Sequence, residues 1–147
     1  MNFCEISKDN FNEWLSMGLA LWPHHKKKGL EKVFRVELKS NKHKHFLAQN
    51  ESGDYLGFIN LALRHDYVQG SSSSPVGYVE GIFVKPKYRK QGVAKELVKQ
   101  GEKWAKKQGC KELGSDAKLS NIGSQKFHKN LGFKKADVIV HYIRKIK

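Results

Sequence analysis

The stretch Glu80-Gly-Ile-Phe-Val-Lys-Pro-Lys-Tyr-Arg-Lys-Gln-Gly-Val-Ala94 decides how the rest of the chain is interpreted. Its first residues continue an apolar run from Val76 that is rich in β-branched and aromatic side chains, as a buried strand requires. Pro86 ends the run, so we predict a strand from Val76 to Val84. Gly81 lies inside this strand, where a glycine often marks a bulge or the close approach of another backbone.

The residues after the strand form a predicted anion site at the start of a helix. Arg89 to Ala94 present successive backbone N–H groups, and a helix N-terminus with its partial positive charge suits a phosphate or pyrophosphate. Gly92 and Ala94 are small and would let a phosphate come close. The stretch is not a P-loop, because no Gly-Lys-Ser/Thr follows, and it lacks the three glycines of the dinucleotide fingerprint. The alternative is an ordinary strand–loop–helix unit with a solvated basic turn.

Length and composition indicate one folded domain over residues 1–147. A chain of 147 residues can bury a core of its own, and 39% hydrophobic with 11% aromatic residues argues against disorder. No apolar run approaches the length of a membrane span, and Met1 opens directly into a strand-like segment without a signal peptide. We therefore expect a cytoplasmic protein with no membrane partner. Cys4 and Cys110 are far apart and are predicted to stay unpaired.

The chain is strongly basic, with 28 Lys and Arg against 14 Asp and Glu and a formal net charge of +14. Such a charge is compatible with nucleic-acid binding. The basic residues are spread along the chain, however, and aromatic residues do not recur beside them as a stacking platform would need. We therefore expect no nucleic-acid partner. Part of the charge would flank a polyanionic cofactor, and the rest would be a solvated surface.

Apolar periodicity and turn residues predict a mixed α/β fold with the order β-αα-βββ-α-β-α-β, no internal repeat and no linker. The predicted strands cover Phe3 to Ile6, His45 to Gln49, Tyr55 to Arg64, Val76 to Val84, Lys111 to Ser115 and Val138 to Ile146. The predicted helices run from Asn10 to Pro23, Leu30 to Leu38, Gly92 to Gln108 and Asn121 to Gly132. In the last helix we expect Ile122, Phe127 and Leu131 to face inward.

The spacing Arg89-x-x-Gly92-x-Ala94, after a strand and before an amphipathic helix, resembles the acetyl-CoA pyrophosphate loop of the GNAT acetyltransferase superfamily. The order of elements is similar to the GNAT fold, a mixed central β-sheet with helices on both faces. Further segments resemble the aminoglycoside 6′-N-acetyltransferases. These segments are Leu21 to His25, Tyr67-Val68-x-Gly70, Ser74 to Val76, Glu80 to Ala94, Ser115 to Asn121 and Leu131 to Phe133.

The resemblance implies direct transfer of an acetyl group from acetyl-CoA to the 6′-amine of an aminoglycoside, which gives antibiotic resistance. It implies that the backbone at the end of the strand binds pantetheine, and that Ile82 or Phe83 polarises the acetyl carbonyl. The implied cofactor-binding residues are Ile82, Phe83, Val84, Arg89, Lys90, Gln91, Gly92, Val93, Ala94, Lys95 and Asn121.

Glu80 resembles the acidic residue that takes a proton from the amine, directly or through water, and an equally good role is to anchor an ammonium. The alternative is that Glu80 is an ordinary exposed residue of the strand without a role in the reaction. The implied substrate-binding residues are Trp22, His25, Tyr67, Glu80, Asp116 and Asp137. Apart from the resemblance, these side chains fit ordinary roles in core packing, caps, loops and turns.

Three further expectations complete the sequence-based hypothesis. In many members of the family a tyrosine four residues before the Gly-Phe pair is proposed as the general acid, and this chain has His128 there, before Gly132-Phe133. Tyr142 is a remote candidate for the same role. The thiolate of CoA also need not require an acid. No metal is expected, since His24-His25 and His43-x-His45 lack partners at zinc spacing. Family members are often homodimers, and the last strand would help to build that interface.

Two alternatives to the aminoglycoside hypothesis stay open. The first is a GNAT acetyltransferase for another amine, such as a polyamine or a peptide N-terminus. The second is a basic nucleic-acid-binding module with a degenerate phosphate loop, which would show steep salt-dependent binding and no turnover.

Overall fold

The computed structural model describes all residues from 1 to 147, and these form two compact units, Met1–Asp116 and Ala117–Lys147. The second unit contains one helix, α4 (Ile122–Asn130). The first unit contains β1 (Asn2–Cys4), α1 (Phe11–Leu21), α2 (Lys27–Leu38), β2 (His43–Gln49), β3 (Tyr55–Arg64), β4 (Val76–Val84), α3 (Val93–Lys107) and β5 (Leu113–Ser115). A 3₁₀ turn, Pro86–Tyr88, lies between β4 and α3.

The first unit is built on one mixed sheet with the strand order β1-β2-β3-β4-β5. The first three pairings are antiparallel and the β4–β5 pairing is parallel. Strand β5 is short and pairs only with Gly77 to Val79 of β4. From Glu80 onward, β4 therefore has β3 on one side and no strand on the other.

Helices cover both faces of this sheet, as predicted, and the alternation of side chains along β3 shows how. Asn60 faces α1, because its Oδ1 accepts a hydrogen bond from Nε1 of Trp14 at 2.9 Å. Leu61 faces α3, where a Cβ added at Gly101 would lie 3.0 Å from its Cδ2. The core between α1, α2 and the sheet consists of Phe11, Trp14, Leu15, Met17, Leu30, Phe34, Leu47 and Phe58.

A β-bulge interrupts the pairing of β3 with β4. Asn60 pairs with Gly81 and Leu61 pairs with Val79, so Glu80 is an extra residue on β4. A bulge re-aims a side chain and resets the alternation of the strand. The bulge predicted from Gly81 is confirmed, and the group that approaches this glycine is the side chain of Trp22 rather than a backbone.

The predicted final strand is wrong for this structure. Residues 134–147 have no regular secondary structure, although apolar residues alternate there. Alternation indicates only that a segment can pair, and a strand also needs a neighbour to accept its hydrogen bonds. The prediction that Ile122 faces inward is also wrong, since it is 70% exposed and α4 has no fully buried residue.

Two smaller features complete the description of the fold. Cys4 and Cys110 are unpaired, as predicted. None of the helices has both the length and the apolar character that crossing a membrane would take.

Candidate active site

The loop between β4 and α3, the predicted anion cradle, leads into an uncapped helix start. Gly92 precedes α3 with φ 83°, a left-handed conformation that glycine adopts without strain, and no side chain caps the helix. The first intrahelical bond comes from the N–H of Glu96, which donates to the Gly92 carbonyl at 3.1 Å. The N–H groups of the preceding residues, Val93 to Lys95, have no acceptor within the helix, as at any helix start. A Cβ at Gly92 would meet nothing within 4 Å, so the cradle is open on that side.

Two polar side chains of the loop turn back onto the loop itself. Nε of Arg89 donates to the carbonyl of Val84 at 2.8 Å, and its guanidinium carbon lies 5.6 Å from the centre of the Phe83 ring. Nε2 of Gln91 donates to the carbonyl of Lys87 at 3.3 Å. These contacts fix the loop to the end of β4, while the amides at the start of α3 remain for an anion.

The end of β4 offers a free strand edge beside this loop. Ile82, Phe83 and Val84 pair with β3, and their other edge has no strand neighbour. A free edge presents backbone N–H and C=O groups that can pair with an extended ligand. The free edge and the cradle therefore form a continuous path along β4 and into α3.

Glu80 lies at the bulge, at the start of this free edge, and its carboxylate holds a cation. Nη2 of Arg64 lies 3.0 Å from Oε1 and 3.2 Å from Oε2, and Nε of Arg64 lies 3.3 Å from Oε1. The guanidinium carbon also lies 3.4 Å from the centre of the Tyr78 ring. The carboxylate is thus already paired with a cation, and any second cation at Glu80 would compete with Arg64 for its oxygens.

Asp116 belongs to the same cluster through Tyr78. The hydroxyl of Tyr78 donates to Oδ2 of Asp116 at 2.7 Å. Burial raises the pKa of Tyr78 far above its usual value, and the hydrogen bond to Asp116 adds to this shift. The phenol therefore stays protonated and donates to Asp116, which follows β5 on the surface. Arg64 and Tyr78 thus connect the two carboxylates Glu80 and Asp116.

Trp22 reaches the bulge from the end of α1, and His25 packs beside Trp22. A Cβ at Gly81 would lie 2.5 Å from Cζ2 of Trp22, so the indole packs directly on this glycine beside Glu80. The N–H of His25 donates to the carbonyl of Trp22 at 3.1 Å, and the two ring centres are 6.5 Å apart. The structure therefore brings Trp22 to the Glu80 bulge, and His25 contacts Trp22.

Tyr67 takes a different position, in the loop between β3 and β4. It is 73% exposed, and its hydroxyl accepts a hydrogen bond from the N–H of Gly70 at 3.4 Å. The same loop is tied to Glu112, which accepts from the N–H of Ser72 at 2.9 Å and from the hydroxyl of Ser73. The structure places Tyr67 against its own loop.

Four of the sequence-predicted residues lie in the second unit. Oδ1 of Asn121 accepts from the N–H of Ser124 at 3.0 Å and so caps α4. Oδ1 of Asp137 accepts from the N–H of Val138 at 2.7 Å. Nδ1 of His128 lies 2.7 Å from the carbonyl oxygen of Ser124, and because that oxygen only accepts, Nδ1 carries a proton. Tyr142 is almost fully exposed.

Sequence reasoning missed Arg64 and Tyr78, which organise the carboxylates of the site. One available signal was Arg64 itself, a charged residue that ends a strand of otherwise apolar character. The contact with Glu80 depends on the register of β3 and β4, which the sequence does not state. No cluster of three or more His, Cys, Asp or Glu side chains is arranged to hold a metal ion.

Comparison with known proteins identifies the family. The family model for the acetyltransferase (GNAT) family matches residues 5–133. The aminoglycoside N(6′)-acetyltransferase type 1 of Serratia marcescens is 41% identical over 134 residues, which cover 91% of this chain and 92% of the relative.

Solved structures agree with this match over the whole chain. The apo aminoglycoside 6′-N-acetyltransferase of Acinetobacter haemolyticus superimposes with a TM-score of 0.95 at 33% identity, covering 100% of both chains. AAC(6′)-Iy, solved with the bisubstrate analogue CoA-S-monomethyl-acetylneamine, gives a TM-score of 0.92 at 34% identity, covering 99% of this chain and 98% of the other. The chain therefore belongs to the GNAT acetyltransferase family.

Proposed function

We propose that residues 1–147 form one acetyltransferase domain that transfers an acetyl group from acetyl-CoA to the 6′-amine of aminoglycosides and thereby gives antibiotic resistance. The observation that carries this proposal is the position of Glu80: a cation-binding carboxylate, in a bulge, where the free edge of β4 begins. The similar proteins are aminoglycoside 6′-N-acetyltransferases, and this similarity supports the same reaction. The family match also crosses the boundary between the two compact units, which supports a single domain.

The residues present fit acetyl-CoA as the donor. The uncapped start of α3 and the open side of Gly92 suit the pyrophosphate, and Arg89 to Lys95 would surround it. The free edge at Ile82 to Val84 suits the amides of pantetheine. Asn121 would contact the cofactor from α4 in addition to capping it. Bound acetyl-CoA supplies the activated thioester carbonyl.

In the proposed mechanism, Glu80 handles the proton of the acceptor. The substrate ammonium competes with Arg64 for the carboxylate, and Glu80 removes its proton directly or through water, or holds the ammonium until water removes it. The free amine then attacks the acetyl carbonyl, whose oxygen is polarised by the N–H of Ile82 or Phe83. One such preorganised donor contributes about 3 kcal/mol to the transition state. The CoA thiolate leaves and takes a proton from His128, from Tyr142 or from solvent.

The pocket for the acceptor would be formed by Trp22, His25, Tyr67, Glu80, Asp116 and Asp137. An aminoglycoside carries several ammonium groups, and Glu80 and Asp116 offer two carboxylates in one cluster. Local carboxylates can prevail over the net charge of +14, because salt screens surface charges beyond about 10 Å.

The test of this proposal is the release of free CoA thiol from acetyl-CoA with different acceptors. We expect turnover with kanamycin and none with its 6′-hydroxyl analogue, which would assign both the reaction and the position. Turnover only with spermidine or with a peptide N-terminus would retain acetyl transfer and refute the resistance role. No release with any acceptor, together with salt-dependent binding to DNA or RNA, would refute the enzyme hypothesis.

We also propose that the protein is a homodimer whose interface includes residues 138–146. Apolar residues in this segment are strongly exposed, with Ile143 at 98%, and a contiguous exposed apolar segment favours association. A second copy would supply the strand neighbour that the segment lacks. We expect light scattering to give twice the chain mass for the wild type and the monomer mass for Ile143→Asp. A monomeric wild type would refute the dimer, and Leu119→Asp, which also replaces an exposed apolar residue of the second unit, is the control.

We propose that the protein is located in the cytoplasm, the location expected from its sequence. Fractionation of cells that express the chain should recover acetylation activity in the cytoplasmic fraction. Activity confined to the membrane or periplasmic fraction would refute this location.

A further inference from the structure

A buried polar chain links α1, the sheet and α2 behind the Glu80 bulge. Nε1 of Trp14 and Nδ1 of His45 each lie 2.9 Å from Oδ1 of Asn60. His45 is only 4% exposed, and its other ring nitrogen, Nε2, has no hydrogen-bond partner within the protein. The nearest acid is Glu37 on α2, whose Oε1 lies 3.7 Å from Nε2. Such an unpartnered nitrogen is unusual in a core, because an unsatisfied buried polar atom costs stability.

The chemistry of these groups fixes where the protons are. An indole N–H only donates, so the Asn60 atom that faces Trp14 is the amide oxygen. An amide oxygen only accepts, so Nδ1 of His45 carries a proton. In the neutral imidazole Nε2 is then an acceptor aimed toward Glu37. Glu37 and His45 are therefore compatible when they hold one proton between them, on the carboxyl or on Nε2.

The surroundings of the pair favour the neutral form, with the proton on Glu37. Burial is the main cause that lowers the pKa of His45, to about 4. The hydrogen bond to Asn60 opposes this shift, whereas the nearby His43 and Lys44 of β2 act in the same direction as burial. Burial, followed by repulsion from the Glu80 carboxylate, raises the pKa of Glu37 to about 7. The indole of Trp14, from α1, is uncharged.

The sheet register explains why this pair affects Glu80. His45 pairs with Asn60, and Asn60 pairs with Gly81, the residue after Glu80. His45 is therefore separated from the bulge by β3 alone, and repulsion from the Glu80 carboxylate adds to the raised pKa of Glu37. Nη2 of Arg64 in turn lies 3.0 Å from Oε1 of Glu80.

We propose that Glu37 and His45 form one proton site behind Glu80, and that loss of its proton adds a second negative charge that strengthens the hold of Glu80 on a cationic acceptor. Glu37 is then a positioning residue that acts through Glu80. The effect on the acceptor rests on the proposed acetyltransferase function, whereas the existence of the proton site does not.

The proton site is tested by NMR on the unliganded protein. With ¹⁵N-labelled histidine we expect His45 as the Nδ1–H tautomer between pH 5 and 8, whereas an Nε2–H tautomer or an imidazolium would overturn the proposal. With ¹³C-labelled carboxyls we expect Glu37 to titrate near 7. Glu80→Gln should lower this midpoint, because it removes the repelling charge. A midpoint for Glu37 that Glu80→Gln leaves unchanged would overturn the coupling.

The effect on the acceptor is tested with Glu37→Gln, whose side-chain N–H₂ can donate to Nε2 of His45 and so keeps the contact while it removes the charge. We expect kcat/KM for kanamycin to match the wild type at pH 6 and to be about three- to tenfold lower at pH 8. Glu31→Gln is the control, since Glu31 lies on the same helix and pairs with Arg35. Superimposable pH profiles for Glu37→Gln and the wild type would overturn the tuning of Glu80. If kanamycin is no substrate, the proposed function fails while the NMR result still decides the proton site.

Discussion

The contact between Trp22 and Gly81 shows how a single residue can shape the acceptor side of the proposed site. No side chain fits at position 81, because even a Cβ would lie 2.5–2.6 Å from two atoms of the indole. The indole is thereby held beside Glu80, where it can form a wall for a bound sugar ring. The absence of a side chain at position 81 therefore leaves the space that the indole occupies beside Glu80.

Gly81→Ala should displace Trp22 while the start of α3 stays unaltered. We expect the KM of the aminoglycoside to rise about tenfold or more, because misplaced positioning groups lower reactivity by such factors, with little change in the KM of acetyl-CoA. The forced overlap should also cost about 1–3 kcal/mol of stability. Steady-state kinetics and thermal unfolding measure both effects. Gly29→Ala is the control, since a Cβ there meets nothing within 4 Å. An unchanged KM of the aminoglycoside in Gly81→Ala would mean that Trp22 does not form part of the acceptor pocket.

Glu80→Gln separates the two roles that are open for this carboxylate. As a base, Glu80 should contribute about 10²- to 10⁴-fold to kcat, which the amide cannot replace. As an anchor, its loss should mainly raise the KM of the aminoglycoside. In either case we expect binding of acetyl-CoA, measured by calorimetry, to stay within about twofold of the wild type. Glu5→Gln, which removes a carboxylate paired with Lys44, is the control, and kinetics identical to the wild type would exclude Glu80 from the reaction.

Individual residues were predictable from the sequence where a local pattern marks them. Gly92 stands between a strand end and a helix start, so local pattern marks it, whereas Glu80 was singled out through the family resemblance. Arg64 contacts Glu80, and Asn60 contacts His45, each on a neighbouring strand. The one-residue bulge in β4 determines which side chains of β3 and β4 lie opposite each other. Register at this level depends on three-dimensional pairing, which a single sequence does not specify.

At the scale of elements, β4 and α3 form the unit that was most predictable. A strand of β-branched and aromatic residues, a proline and an amphipathic helix are all local signals, and the structure places β4 and α3 where they indicate. The segment 138–146 shows the limit of such signals. Its alternation predicts a strand, yet pairing requires a partner that the sequence cannot name.

The two ends of α3 offer a matched test of the anion cradle. Gly92 before the helix and Gly109 after it both have a positive φ, 83° and 86°, and a Cβ at either meets nothing within 4 Å. Alanine at each position should therefore lower stability by a similar amount, about 1 kcal/mol. We expect only Gly92→Ala to raise the KM of acetyl-CoA, because only that end would bind the pyrophosphate. An equal KM in both variants would place the donor elsewhere.

At the scale of the whole molecule, the Glu37–His45 pair makes a specific prediction for the pH dependence of stability. In the unfolded chain between about pH 4.5 and 6.5, the proton sits on the histidine and the glutamate is ionised. In the folded protein the pair also holds one proton, on Glu37, because its pKa is about 7 and that of His45 about 4. Since both states bind the same number of protons, this pair gives a nearly flat contribution over that window.

Glu37→Gln should make the number of protons bound at this site differ between the folded and the unfolded protein. The raised pKa of Glu37 favours folding below about pH 4.5, and this contribution is lost as the pH rises to about 7. The stability of Glu37→Gln relative to the wild type should therefore increase with pH over that range, by a total of about 1–3 kcal/mol. Urea unfolding of both proteins at several pH values measures the difference, from which the titration of groups that do not interact with Glu37 cancels. Glu31→Gln controls for the loss of a carboxylate from α2, and a difference for Glu37→Gln that is constant from pH 4.5 to 7 would mean that Glu37 holds no proton in the folded protein.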